Sequence, residues 1–187
     1  ATQSSETGNV QYIQKEISGS DEKINIEQPR IYFGLETNDI IATNAKNKQE
    51  YDYTDQDGIE HTSTYDGEAG LQLNFLDRII LGITKGNLKL AFSNEVTEDS
   101  KILINRQIMT RAKKALPYLI YDENPYTVVD DGKIYWVLDA YTVSDKYPYS
   151  TYTEVEYDGA KRNINYIRNS VKVIINAYDG EMTFYIT

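Results

Sequence analysis

The chain has 187 residues, no cysteine, and 29 acidic against 19 basic side chains, for a formal charge of -10. The missing cysteines exclude disulfides, thiol catalysis and thiolate metal sites. The negative charge argues against nucleic acid or anionic lipid as a partner. The length suits a single domain over residues 1–187, with the polar residues 1–9 expected to be disordered.

The first 68 residues predict short strands and surface structure. Strands are predicted at residues 10–17 and 40–43, and residues 44–68 form a long hairpin or a surface excursion because they are polar and hold two Asp-Gly turns. Residues 71–84 place Leu73, Leu76 and Ile80 at helical spacing beside a narrow polar face. We therefore predict a helix there that is buried on most sides.

Residues 98–116 carry the clearest helix pattern. Acidic residues stand at its start and lysines near its end, as the helix dipole favours, and Pro117 follows. The last third predicts β-hairpins, since apolar alternation flanks Asp-Gly corners at residues 131–132 and 179–180. The predicted fold class is α+β, with antiparallel β-hairpins and two main helices at about 71–84 and 98–116.

Most catalytic chemistries lack their residues in this chain. His61 is the only histidine, so a histidine-rich zinc site cannot form, and no phosphate-binding glycine loop occurs. Residues 52–60 resemble part of a calcium loop but place Tyr53 and Thr64 at ligand positions. Acidic residues between 122 and 145 leave open a carboxylate pair for glycoside cleavage. We expect no cofactor and no metal.

Tyrosine is the unusual feature, with 17 residues against one Trp and four Phe. Tyrosine offers a large ring and a polar tip, which suits interfaces and sugar stacking, although it also fills half-buried strand faces. Many of the tyrosines cluster between residues 118 and 157. The candidate binding residues are Tyr126, Trp136, Asp139, Tyr141, Asp145, Tyr147, Tyr149 and Arg168.

Several collinear blocks resemble a bacterial membrane family known as uncharacterised protein family 0182. The main blocks are Ala-Leu-Pro-Tyr-Leu at 115–119, Tyr-Asp-Glu-Asn-Pro-Tyr at 121–126, Val-Val-Asp-Asp-Gly-Lys-Ile-Tyr-Trp at 128–136 and Asp-Ala-Tyr-Thr at 139–142. Others are Ser-Asp-Lys-Tyr-Pro-Tyr-Ser at 144–150, Pro-Arg-Ile-Tyr-Phe-Gly at 29–34, Thr-Tyr-Asp-Gly at 64–67, Asn-Tyr-Ile-Arg-Asn-Ser-Val at 165–171 and Ala-Tyr-Asp-Gly at 177–180.

The resemblance implies a location rather than an activity. It implies a large parent protein with several N-terminal transmembrane helices and a big region outside the cytoplasm. This chain is then expected to be a fragment of that outer region, without a membrane span of its own, attached to the cell membrane through its parent protein.

Two functions remain open at this point. The first is a non-enzymatic extracytoplasmic module that binds a protein partner, an envelope glycan or the rest of its parent protein, with no nucleic acid partner. The alternative is a carboxylate-dependent hydrolase acting on cell-envelope glycans. The resemblance carries over no catalytic residues.

Overall fold

The computed structural model describes residues 2–3, 10–11, 26–46, 49–54, 57–157 and 159–187. Contacts divide the chain into two compact units. The first unit comprises Ala1–Asn25 and Asn38–Ile104, and the second comprises Ile26–Thr37 and Asn105–Thr187. Residues 4–9 of the expected disordered terminus and residues 12–17 of the first predicted strand lie outside the described residues.

The strands of the first unit form three small antiparallel pairs. They are β1 (Thr2–Gln3) with β2 (Val10–Gln11), β3 (Ile40–Thr43) with β6 (Lys101–Ile104), and β4 (Glu50–Thr54) with β5 (Glu60–Ser63). The strand at residues 40–43 and the long hairpin are thereby confirmed. His61 lies in β5, where its ring stacks on Tyr53 with centroids 4.6 Å apart.

Two helices follow the hairpin of the first unit, α1 (Phe75–Thr84) and α2 (Leu88–Phe92). The side chain of Asn74 accepts a hydrogen bond from the backbone N of Asp77 at 2.9 Å and so caps the start of α1. Residues 71–74 are not helical, because Leu71 pairs with Ile102 in a β-bridge. The helix is therefore shorter at its start than predicted.

The burial predicted for α1 is wrong. Its buried residues are Arg78 and Gly82, whereas Leu76, Ile80 and Ile83 are exposed. Arg78 donates from Nη1 to the backbone O of Val96, which ties this face of the helix to the unit. Apolar composition indicates a packing surface but does not identify which side of the helix the rest of the unit covers.

The helix predicted over residues 98–116 begins only at Ile108. Residues 101–104 instead form β6, whose backbone pairs with β3, and Asn105 follows with a φ of 52° that a helix cannot accommodate. The helix is α3 (Ile108–Ala115). Within the described residues, no helix combines the length and the apolar character needed to cross a bilayer.

The second unit is built on a five-stranded antiparallel sheet. Its strands are β7 (Ile120–Tyr121), β8 (Tyr126–Asp130), β9 (Lys133–Ser144), β12 (Tyr166–Asn176) and β13 (Met182–Ile186). The order is β13-β12-β9-β7, and β8 also pairs with β9. A separate hairpin consists of β10 (Thr153–Tyr157) and β11 (Ala160–Ile164). The α+β class with antiparallel hairpins is confirmed.

Both predicted Asp-Gly corners connect strands of this sheet. Asp131 and Gly132, with φ of 45° and 71°, join β8 to β9 in a two-residue turn. Gly180, with φ of 71°, lies in the connection from β12 to β13. The predicted apolar alternation on either side of this corner is also found, since Val173 pairs with Phe184 and Ile175 with Met182.

One face of the sheet is the core of the second unit. Leu138 and Ala140 of β9 and Val173 and Ile175 of β12 are fully buried on this face, which we name the core face. Ser170 interrupts the β9–β12 ladder, because Asn169 pairs with Tyr141 and Val171 with Ala140, which leaves Ser170 without a Cα partner.

Tyr121 fastens the end of α3 to the sheet. Its hydroxyl lies 3.0 Å from the backbone O of both Ala112 and Leu116, carbonyls of the last helical turn. The Ala112 carbonyl also accepts the backbone N of Leu116, and the Leu116 carbonyl accepts the backbone N of Leu119, so the hydroxyl adds a side-chain bond where the helix ends. Burial, with a further contribution from Tyr118, raises the pKa of Tyr121 to about 12 from its ordinary 10.0.

We expect this raised pKa to make the chain less stable in alkali. The unfolded chain releases the Tyr121 proton above pH 10 while the folded chain keeps it until about pH 12, so the stabilisation is complete below pH 10 and is lost between these values. Tyr121→Phe should remove roughly 1 kcal/mol of the loss between pH 8 and pH 11, measured by urea unfolding. Tyr149→Phe, at a fully exposed ring, should keep the wild-type pH profile. A Tyr121→Phe profile as steep as wild type contradicts the assignment.

Candidate functional site

The face of the sheet opposite the core face carries a row of polar and aromatic side chains. We name it the outer face. In β9 it consists of Tyr135, Val137, Asp139 and Tyr141, which alternate with the core residues because side chains of a strand point to opposite faces in turn. Lys172 lies opposite Asp139, and Ile174 lies opposite Val137. The outer face therefore combines rings, an acid and a base.

A groove runs across this outer face, with a volume of about 510 Å³. Tyr126 and Val128 of β8 form one side, and Tyr185 of β13 stands on the other. All three side chains are substantially exposed. We name this feature the sheet groove; its lining residues are Tyr126, Val128, Val129, Asp130, Tyr135, Val137, Lys172, Ile174 and Tyr185.

A charged pair stands beside the groove. Lys172 donates from Nζ to Asp139 Oδ1, and Asn169 donates to the same oxygen at 2.9 Å. The hydrogen bonds from Lys172 and Asn169 lower the pKa of Asp139, and the bond to Asp139 raises the pKa of Lys172. Both groups are therefore charged at neutral pH, which leaves Asp139 without a proton to donate as a general acid.

Tyr141 extends this cluster toward the end of β7. Its hydroxyl donates to Asp122 Oδ2 at 3.3 Å. Burial raises the pKa of Tyr141, and the Asp122 carboxylate raises it further. The ring thus presents a neutral hydroxyl beside two carboxylates, an arrangement that positions a polar ligand group rather than a nucleophile.

Of the eight predicted binding residues, three lie together on the outer face. They are Tyr126, which lines the sheet groove, and Asp139 and Tyr141, which lie along the same strand face. Trp136 points to the core face, where its Nε1 donates to the backbone O of Phe33 at 2.9 Å. Arg168 lies on β12 and donates to the backbone O of Thr187 at 2.9 Å.

The remaining three predicted residues lie in the loop after β9. Tyr147 stacks on Tyr166 with centroids 4.9 Å apart, and Asn165 bonds the backbone N and O of Tyr147. Tyr149, with φ of 61°, is fully exposed, and the backbone O of Asp145 accepts from Tyr152 at 3.0 Å. This loop is a separate aromatic surface and contributes nothing to the sheet groove.

Sequence reasoning missed Lys172 and Tyr185, which complete the groove. The sequence does contain a signal for both residues. Lys172 lies between the buried Val171 and Val173, and Tyr185 follows Phe184, so both side chains are expected on the face opposite the core. The apolar alternation predicts only which side of this hairpin is buried, and it assigns no role to Lys172 and Tyr185 on the other side.

The basic side chains of the segment predicted as a helix at residues 98–116 do not all face solvent. Arg106 precedes α3 and is buried, with Nε donating to the backbone O of Tyr32 at 2.7 Å. Arg111 donates from Nε to the backbone O of Gly180 at 2.9 Å. Both arginines therefore bond backbone carbonyls of the unit. Among the described residues, no group of three or more acidic or histidine side chains is placed to hold a metal.

Two of the sequence blocks meet around Phe33. The backbone N of Phe33 donates to the backbone O of Ala177 at 2.9 Å, and Tyr32 packs edge-on against Tyr178. The buried Phe33 ring lies against Gly180, and the Arg111 guanidinium stands 5.0 Å from its centroid. The blocks at residues 29–34 and 177–180 thus pack against each other within the second unit.

Fold and site together define an α+β domain with an open, tyrosine-lined groove on one face of an antiparallel sheet. The Uncharacterised protein family (UPF0182) matches residues 1–187, and the chain belongs to this family. A UPF0182 protein of Clostridium tetani (strain Massachusetts / E88) is 49% identical over 164 residues. One of Clostridium novyi (strain NT) is 48% identical over 163 residues, and one of Clostridium botulinum (strain Loch Maree / Type A3) is 47% identical over 164.

These alignments cover 87% of the chain for the C. novyi protein and 88% for the other two. They cover only 17% of each relative, so the chain spans about a sixth of the length of the proteins that it matches. No solved structure matches the chain.

Proposed function

We propose that this chain is a non-enzymatic binding module of a bacterial integral membrane protein and that its sheet groove holds an envelope glycan. The groove itself carries the proposal. Its volume of about 510 Å³ falls in the range of roughly 300–1,000 Å³ that small-molecule sites occupy. It is lined by exposed tyrosine rings with a charged pair at its side.

The chemistry of the lining suits a sugar chain. One face of a pyranose ring is made of C–H groups and packs against a tyrosine ring, while its hydroxyls need polar partners. Tyr126 and Tyr185 supply such rings from either side of the groove. Asp130 and Lys172 supply an acceptor and a donor within the same lining. Tyrosine also loses little conformational entropy when it binds.

The proposed location is the extracytoplasmic side of the cell membrane. The resemblance of the sequence blocks to a membrane family supports this, and so does a composition without cysteine, which suits an envelope protein built without disulfides. The formal charge of -10 makes nucleic acid a poor partner, because the phosphate backbone would be repelled.

The alternative of a carboxylate-dependent hydrolase has less support. Such an enzyme needs one carboxylic acid that keeps its proton at working pH and a second carboxylate across a cleft. The pKa of Asp139 is lowered, mainly by its hydrogen bond with Lys172, and Asp145 lies outside the sheet groove. The lowered pKa makes Asp139 a poor proton donor, and Asp145 does not share the groove with it, which favours the binding module.

The proposal is tested by titrating the chain with soluble, uncrosslinked peptidoglycan strands in a calorimeter. We expect Tyr126→Ala and Tyr185→Ala each to weaken binding about tenfold or more, since each removes a stacking ring worth roughly 1–2 kcal/mol. Tyr118→Ala is the matched control, because Tyr118 is exposed but does not line the groove. No binding by the wild-type chain, or equal loss in Tyr118→Ala, would overturn the proposal.

A further inference from the structure

In helix α1 the large apolar side chains face solvent, whereas the side that packs on the unit carries an arginine and a glycine. The residues that face the first unit are Arg78 and Gly82, one turn apart. Leu76, Ile80 and Ile83 follow each other at spacings of four and three residues, so they form one stripe along the opposite side. A stripe of this kind is the usual packing face of a helix, yet here it faces solvent.

Helix α2 extends the same apolar character. Leu88 and Phe92 are four residues apart and therefore share one side of the helix. Both are exposed. We name the five side chains the helical patch, and each is between 60% and 69% exposed: Leu76, Ile80, Ile83, Leu88 and Phe92.

The patch is at the upper end of what a monomer normally exposes. Large apolar side chains carry on the order of 150–200 Å² each, which leaves roughly 480–640 Å² exposed at this patch. The largest apolar patch on a typical monomer is about 300–600 Å². Beside α2, a concave surface of about 280 Å³ is lined by Ile40, Ile41 and Val96 among others. A partner segment could therefore fill this concave surface as well as cover the apolar side chains of the patch.

We propose that the helical patch is the docking surface for another segment of the same polypeptide, one that lies outside these 187 residues and covers α1 and α2 with an apolar helix of its own. The chain corresponds to about 17% of the relatives it matches, so far more sequence lies beyond this region than within it. The occupant is thus available in the same protein at high effective concentration.

The size of the patch favours this occupant over a second copy of the chain. Covering roughly 480–640 Å² on each side gives an interface of about 960–1,280 Å², which is typical of contacts between domains of one chain. Obligate homodimers bury more, about 2,000–5,000 Å².

The charge pattern favours it over a lipid bilayer. Helices that lie on membranes place Lys and Arg on an exposed polar face. In α1 the arginine, Arg78, is instead buried beneath the helix and the exposed charged residue is Asp77, so among the described residues Lys89 of α2 is the one exposed base of the two helices. The net charge of -10 also opposes binding to anionic lipid.

Cysteine labelling tests the proposal directly, because the chain has no cysteine of its own. Ile80→Cys places a thiol on the helical patch, and Glu123→Cys places one on an exposed loop as control. Both should react with a maleimide at similar rates in the 187-residue chain. In the full-length protein, we expect labelling at residue 80 to slow about tenfold or more, while labelling at residue 123 stays the same. The labelled peptide is identified by mass spectrometry.

Three results would overturn the proposal. The first is equal labelling at residue 80 in the chain and in the full-length protein. The second is a dimer of the 187-residue chain, seen by light scattering, that the double substitution Leu76→Asp and Ile80→Asp converts to a monomer. The third is flotation of the chain with phosphatidylcholine vesicles that the same double substitution abolishes. The sheet groove takes no part in these measurements, so the proposed glycan function stands or falls separately.

Discussion

We expect Gly180→Ala to lower the free energy of unfolding of the chain by about 2–5 kcal/mol. Two effects act together at this position. Gly180 has a φ of 71°, and a Cβ added there would stand 2.6 Å from Cε1 of Phe33. The left-handed backbone costs a non-glycine residue roughly 1–2 kcal/mol, and forcing a methyl group into a packed ring costs roughly 1–3 kcal/mol more. Chemical denaturation measures the sum.

Gly159→Ala separates the two effects. Gly159 has nearly the same φ of 68°, but a Cβ there would meet nothing within 4 Å. Its substitution should therefore cost only the backbone term of roughly 1–2 kcal/mol. If the two variants lose the same stability, the Phe33 ring moves to accommodate the added methyl group. Phe33 then packs less tightly against Gly180 than the distances indicate.

Ile175→Ala should cost about 2–5 kcal/mol, since it empties the centre of the core face. Ile175 is fully buried on β12, opposite Trp136. Ile167→Ala removes the same atoms from the same strand at a position where the side chain is 56% exposed. This control should cost less than about 1 kcal/mol, mostly through β-propensity. Urea unfolding of both variants compares the positions, and equal losses would mean that the core face is assigned to the wrong side.

The hairpin of β12 and β13 was predictable because its information is local. Alternation of Val171, Val173 and Ile175 marks one buried face, and the Asp-Gly corner sets where the chain reverses. The same alternation assigns Trp136 to the core face with Leu138 and Ala140. The prediction of Trp136 as a ligand contact rests on the chemistry of its ring, whereas the alternation of the strand places this side chain on the core face.

The error at residues 98–116 had a tertiary cause. Ile102, Ile108 and Met109 fit a helical stripe as well as they fit a strand followed by a helix. Pairing of β6 with β3, which is 58 residues away at Thr43 and Lys101, decides between them. Sequence periodicity does not contain that partner. For the same reason α1 could be recognised as an apolar helix, while the side that it exposes depends on which elements pack against it.

The unpaired Ser170 in β12 determines where this sheet can tolerate a change in length. Inserting or deleting a residue inside a strand normally sends every following side chain to the opposite face. Because Ser170 has no Cα partner in β9, a chain lacking it would still place Val171 opposite Ala140 and Val173 opposite Leu138. Related chains can therefore differ in length by one residue at this point of the strand and still bury the same side chains. A deletion two residues later, at Lys172, would instead turn Val173 and Ile175 to the outer face of the sheet.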